Sequence, residues 1–376
     1  MTSSIRPLER DDLPAVANLY EEIARSGGHV APPGLADYFE QTFVLHPWAD
    51  PEVPSLVYLN SDKRIVGFIG SHVRRLRFND HRVLAGCSGQ LVTTLDARRR
   101  AAGIFLMRAY MAGPQELTFT DTASDDVRRM WRSLGGEVSQ IACVGWVRVL
   151  RPGHFAAGVL SRRRPLDRVT RVAEPIWSLV DRASIRVARS ALEPPVPSTT
   201  TEPLTAPLIA GHLADIASSF RLRPEYEDEA FVNWLFAALA QTAIRGRLIA
   251  RLVRAASGSV LGWYVYYHRP RQIAQVLQIA AGERTAGEVL DALFHDARSR
   301  GATAVQGRVE GHLFNALGER GCLFHRSGYL ALIQGNDSDL LHAIQSGRAL
   351  LTRMEGDWWN GHHLAGSDST PARTGV

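Results

Sequence analysis

Between residues 89 and 112 the chain reads GQLVTTLDARRRAAGIFLMRAYMA, and this stretch limits what the rest can become. Residues 90–95 are apolar and β-branched, which predicts a strand. Residues 96–100 are polar and strongly basic, which predicts a loop. From Gly103 onward Ile104, Leu106, Met107 and Tyr110 recur at helical spacing, so a helix is expected there. A strand, a basic turn and a glycine-opened helix form an anion-binding device. The first N–H groups of a helix lack internal partners, and the macrodipole places about +0.5 charge among them. Arg98, Arg99 and Arg100 add mobile positive charge at the same point. A diphosphate is the guest such an arrangement fits.

The spacing resembles the acetyl-coenzyme A loop of the GNAT (GCN5-related) N-acetyltransferases, whose pattern is Arg/Gln-x-x-Gly-x-Gly/Ala. This chain has Arg100-Ala101-Ala102-Gly103-Ile104-Phe105, matching the first two fixed positions and placing Phe105 where a small residue belongs. The order of elements extends the resemblance. A strand at 5–8 and a helix carrying Leu13, Val16, Leu19, Tyr20 and Ile23 on one face open the chain. A helix at 35–43 and strands at 55–60, 65–78 and 90–95 follow. After the basic loop come a helix, a strand at 117–120, a helix at 125–134 stopped by Gly135-Gly136, and one long strand at 138–149. The resulting β-α-α-β-β-β-α-β-α-β is similar to a GNAT domain.

Residues 212–333 repeat that outline. Helices are expected at 212–220, 230–240, 286–300 and 312–320, and strands at 247–253, 260–267, 273–279, 304–309 and 329–333. The second loop, Arg284-Thr285-Ala286-Gly287-Glu288-Val289, keeps Arg-x-x-Gly but ends in Val289, and Glu283 and Glu288 would repel a diphosphate. The expected fold is α+β: two tandem GNAT-like domains, each a mixed, mostly antiparallel sheet flanked by helices. Their expected bounds are 1–150 for an acetyl-CoA-binding copy and 208–359 for a degenerate copy. A basic helical connector with a Pro/Thr-rich linker is expected at 151–207, and a disordered tail at 360–376.

Composition narrows the class. An apolar fraction of 45% and a charged fraction of 22% suit a globular chain with a real core, and 376 residues suit two domains. The net charge of +5 rests almost wholly on arginine, since Lys63 is the only lysine. It permits an anionic cofactor but does not by itself call for nucleic acid, which is not expected as a partner. Cys87, Cys143 and Cys322 show neither a disulfide framework nor a metal spacing, so no metal is expected and a reducing cytosol is. The opening residues carry no apolar h-region, and the apolar run at 231–244 contains Asn233 and Gln241 and reads as a core helix rather than a membrane span. A cytoplasmic protein is expected. Its oligomeric state is not legible.

The resemblance implies transfer of an acetyl group from acetyl-CoA, as co-substrate, to the amine of a small molecule such as an amino sugar or amino acid derivative. It implies main-chain roles for Thr93 and Leu95 along the pantetheine and thioester. It also implies that N–H groups of Arg100, Ala101, Ala102, Gly103, Ile104 and Phe105 hold the pyrophosphate. Many members carry a tyrosine acid on the helix after strand five; Trp131 stands there, and residues 90–95 contain no carboxylate base. His72, His81, Asp121 and Asp125 are the candidates for proton transfer. Two other readings stay open: an aminoacyl-tRNA-dependent transferase of the peptidoglycan type, which would use the basic connector, and a non-catalytic GNAT-like binding module.

Overall fold

The structure is a computed structural model, and it describes residues 3–24, 30–79, 81–161, 177, 179–181, 193–242 and 245–360. The expected basic connector falls largely outside the described residues, as does the tail from residue 361. Among the described residues, fifteen strands run in chain order. The first six are β1 (Ser4–Pro7), β2 (Leu56–Leu59), β3 (Ile65–Phe78), β4 (His81–Thr93), β5 (Leu117–Ala123) and β6 (Glu137–Val138). Next come β7 (Val144–Val149), β8 (Thr200–Pro203), β9 (Leu222–Pro224), β10 (Arg247–Arg254) and β11 (Val260–His268). The last four are β12 (Ile273–Ala281), β13 (Ala304–Arg308), β14 (Leu323–Arg326) and β15 (Leu330–Gly335).

Two compact units result. One comprises Met1–Cys143, Arg221–Ile244 and Gly328–Val376, the other Val144–Phe220 and Arg245–Ser327. The first unit holds an eight-stranded sheet, β1-β2-β3-β4-β5-β15-β6, with β9 added beside β3. The second holds a seven-stranded sheet, β14-β7-β13-β12-β11-β10-β8. Both are mixed and mostly antiparallel, with one parallel pair each, β4 with β5 and β12 with β13. Helices flank both sheets, so the architecture is the expected α+β.

The chain alternates between the sheets where the sequence reading expects consecutive blocks. The single long strand expected at 138–149 is two. A short 3-10 turn at Ile141–Cys143 separates β6, which closes the first sheet, from β7, which lies inside the second. Likewise β15, expected to end the second copy, sits between β5 and β6 of the first sheet. Alternating hydrophobicity reports that a segment is a strand; it is silent on which sheet's edge the strand joins.

In the first unit, helix α1 (Leu13–Ala24) and helix α2 (Leu35–Phe39) cover one end of the sheet. Leu13, Val16, Phe39, Phe68 and Val92 form their common core. Beyond them on the sheet, Leu76, Val83, Cys87, Phe119 and Ile333 pack with Leu340 and Ile344 of the helix Ser338–Gln345. The β3–β4 hairpin turns at Asn79, whose φ of 51° is in the left-handed region that asparagine tolerates. In the second unit Trp263, Tyr264, Tyr266 and Tyr267 of β11 are all buried, so this aromatic run is core rather than the wall of a groove.

Candidate active site

Three features of the first unit converge beside β4. The first is a parting of strands. β4 and β5 pair in parallel only at Ala85–Leu117, Gly86–Thr118 and Cys87–Phe119, although β4 runs on to Thr93 and β5 to Ala123. The second is a bulge. Gly70 faces Gly89 and Phe68 faces Val92, so Gln90 and Leu91 of β4 together oppose Ile69 of β3. Gln90 takes φ 50° to make it. A bulge breaks the ladder locally and turns main-chain groups out of it, here at the edge of the parting.

The third feature is the basic loop. Residues 96–100 are not a loop but largely a short helix, α3 (Leu95–Arg99), because Thr94 caps it: its Oγ1 accepts from the Ala97 N–H at 3.3 Å. Leu95 is therefore helical, while Thr93 is the last strand residue and faces Gly67. Ala101, at φ 61°, then turns the chain into α4 (Ala102–Met111), one residue ahead of the start expected from the sequence. Of the N–H groups expected to face a diphosphate, those of Arg100 and Ala101 donate to Ala97 and Arg98 carbonyls, and those of Ile104 and Phe105 to the Ala101 carbonyl. Ala102 and Gly103, in the first turn of α4, have no intrahelical acceptor. Arg98, Arg99 and Arg100 are exposed around that turn, and Phe105 is 42% exposed, outside the core. A Cβ on Gly103 would meet only Met130 Sδ at 3.7 Å and slightly more distant atoms, so the helix start is roomy.

The sequence reading missed the residues that fill the inner end of the parting. Residues 352–360 are all buried, and they lie against β3, β4 and β5 of the first unit. Trp358 and Trp359 are part of this segment. Asn360, expected to start a frayed tail, is buried; its amide meets the His72 ring, Tyr38 donates to its Oδ1, and its carbonyl accepts from Gln90 Nε2 at 2.9 Å. Asp357 enters between the parted strands. Its Oδ1 accepts from the Asp121 N–H at 3.0 Å and from Thr120 Oγ1 at 3.2 Å, and Thr122 donates to Oδ2. Asp121 reciprocates, its Oδ1 accepting from the N–H groups of Asp357 at 2.8 Å and Trp358 at 2.9 Å. Burial, then repulsion from Asp121 and a hydrogen bond with it, hold the Asp357 carboxyl well above the usual carboxylate range.

The four proton-transfer candidates separate accordingly. Asp121 lies in the parting. His72 is fully buried on β3, and burial together with Arg74 lowers its pKa to about 3, so it is a neutral ring within the wall. His81 begins β4 at the exposed hairpin end, opposite Phe78 and far from the bulge. Asp125 is exposed in the first turn of α5 (Asp125–Ser133), paired with Arg128 at 3.0 Å. Trp131, also on α5, is buried, and its indole N–H donates to the Ile333 carbonyl of β15 at 3.0 Å. That ring holds a strand in place.

In the second unit the parallel pair parts in the same way after Gln275–Gln306. Its loop differs. Arg320, bound to both Asp291 carboxylate oxygens at 2.8 Å, lies over Gly287, where an added Cβ would stand 2.6 Å from its Nη2.

No family model matches the chain, and no curated protein does either. Solved structures do. A GCN5-related N-acetyltransferase from Anabaena variabilis ATCC 29413 superposes with a TM-score of 0.56 at 11% identity, over 89% of this chain and 72% of that one. A conserved protein of unknown function from Enterococcus faecalis V583 also gives 0.56, at 10% identity, over 88% and 72%. A GCN5-related N-acetyltransferase from Kribbella flavida gives 0.52 at 13% identity, over 88% and 70%. The fold is that of the GCN5-related N-acetyltransferases. It occurs here as two GNAT-like α+β units in one chain.

Proposed function

We propose that the first unit is an acyltransferase that takes an acetyl group from acetyl-CoA and delivers it to the amine of a small molecule by direct attack, both substrates being bound together. One observation carries the reading: the parted β4–β5 pair, bulged at Gln90, opens beside a helix start ringed by three exposed arginines. The N–H groups of Ala102 and Gly103 and the side chains of Arg98, Arg99 and Arg100 suit a diphosphate. The parting suits an extended pantetheine arm, whose amides would meet main-chain groups near Thr93 and the bulge. Chemistry of this kind needs a positioned amine, a polarised carbonyl and proton transfer, and no covalent intermediate on the protein.

Calorimetric titration with acetyl-CoA tests it. One site per chain is expected, weakening with salt as the arginine contacts are screened. Gly103→Trp should abolish binding with the fold intact by circular dichroism, since a large side chain there would cover the helix start. Binding that survives Gly103→Trp unchanged would remove the loop assignment. Failure of the wild type to bind acetyl-CoA or CoA would remove the function.

A further inference from the structure

The fold supplies no tyrosine at the place where the resemblance expects a thiolate acid, and Trp131 is turned into β15. Within the parting stands another acid. Asp357 and Asp121 accept each other's main-chain N–H groups, so each fixes the backbone that carries the other. The β4 backbone comes close on the third side: a Cβ on Gly89 would lie 3.1 Å from Asp357 Oδ2. Gly89 is two residues past the last parallel pair and adjoins the bulge at Gln90. Gly356 has no side chain to overlap the Asp121 carboxyl. The pair is thus seated at the depth in the parting where a thioester at the end of a pantetheine arm would arrive.

A second feature of the same segment points to a ligand. Arg74 is 1% exposed; its Nε donates to the Glu355 carbonyl at 2.8 Å and its Nη1 to the Val73 carbonyl at 3.0 Å. Its Nη2, equally buried, has no hydrogen-bond partner among the described residues. A buried guanidinium donor left over beside the segment is a place for an acceptor group of a bound molecule.

We infer that the Asp121–Asp357 carboxyl pair is the acid of the proposed acyl transfer, Asp357 giving its proton to the sulfur that leaves the thioester. The inference rests on the acetyl-CoA reading of the first unit. The acceptor nitrogen forms its bond to the acyl carbon as the carbon–sulfur bond breaks. The electron pair of that bond goes to sulfur, which takes the proton from Asp357, and the pair regains a proton from the acceptor nitrogen. Amine and thioester become amide and thiol, and no other reactant is needed. Two buried carboxyl groups that meet oppose each other's ionisation, which favours a proton held on Asp357. Asp121 orients its partner by accepting from the Asp357 and Trp358 N–H groups.

The test uses the full chain and infrared difference spectroscopy. The wild type should show the C=O stretch of a buried protonated carboxyl, absent from Asp357→Asn. Adding CoA should shift that band, and adding desulfo-CoA, which lacks only the thiol, should leave it in place. In thiol-release assays with acetyl-CoA and a panel of small primary amines, Asp357→Asn and Asp121→Asn should each lose about 10²–10⁴-fold in rate while calorimetric affinity for acetyl-CoA stays within threefold. CoA and desulfo-CoA acting alike on the wild-type band would overturn the inference, even if the variants fail to fold, and would leave the acetyl-CoA reading standing. A wild type that binds neither nucleotide would overturn both.

Discussion

Trp131 gives the sharpest test of how α5 is used. Trp131→Phe keeps an aromatic ring in the seat that Gly136 leaves open, but removes the indole N–H that donates to the Ile333 carbonyl at 3.0 Å. Ile333 is 2% exposed, so that carbonyl would lose its partner where water reaches it poorly. An unsatisfied buried polar group costs about 1–3 kcal/mol, and the ring atoms lost from a packed core add about 1–2 kcal/mol. The expected loss is about 2–5 kcal/mol, read as a lowered urea midpoint for the first unit. Hydrogen exchange should localise the effect to β15 and β5, the strands that the bond ties to α5. Trp131→Tyr makes the complementary point. It restores the residue type expected for a thiolate acid, yet the side chain would face β15, so no gain in thiol release is expected. A Trp131→Phe cost below about 0.5 kcal/mol, set against the 1–3 kcal/mol expected for the hydrogen bond alone, would refute the structural role. So would a tenfold gain from Trp131→Tyr.

The other expectations are independent of α5. Gly89→Val would press a branched side chain on Asp357, whose Cβ and Oδ2 lie 3.3 and 3.1 Å from where the new Cβ would stand; it should loosen residues 352–360 and speed limited proteolysis there. Gly70→Ala would place its methyl 2.5 Å from the Phe43 ring and should cost about 1–3 kcal/mol by thermal or urea melting. His72, depressed from 6.5 to about 3, is neutral in the folded state and binds a proton when unfolded below pH 6.5. Its contribution is complete above pH 6.5 and is lost as pH falls toward 3, so His72→Gln should flatten the acid limb of the stability curve by about 1.4 kcal/mol per pH unit. Arg320→Ala, which uncovers Gly287, should leave the acetyl-CoA stoichiometry at one per chain, because Glu283 and Glu288 still flank that loop; a second site appearing in the titration would show that Arg320 alone closes it.

The residues alone specified local structure. Strand β3 is found at the expected residues 65–78, and α5 stops at the expected glycine pair, where Gly135 takes φ 87°. Periodicity, capping and glycine chemistry act over a few residues, so these elements could be read without a partner in view. The order of elements carried the GNAT-like α+β fold for the same reason. Long-range packing set the rest. The transfer of β7 to the second sheet and β15 to the first depends on which edge each strand meets, and a strand's own residues do not encode that. Thr94 caps a short helix where a basic loop had been expected, and with the turn at Ala101 this leaves two main-chain N–H groups in the first turn of α4 where six had been expected to serve. Asp357 was visible in the sequence only as an acid among tryptophans. Its meaning comes from Asp121, Thr120 and Thr122, more than two hundred residues away, because a carboxyl group takes its proton affinity from whatever the fold brings against it.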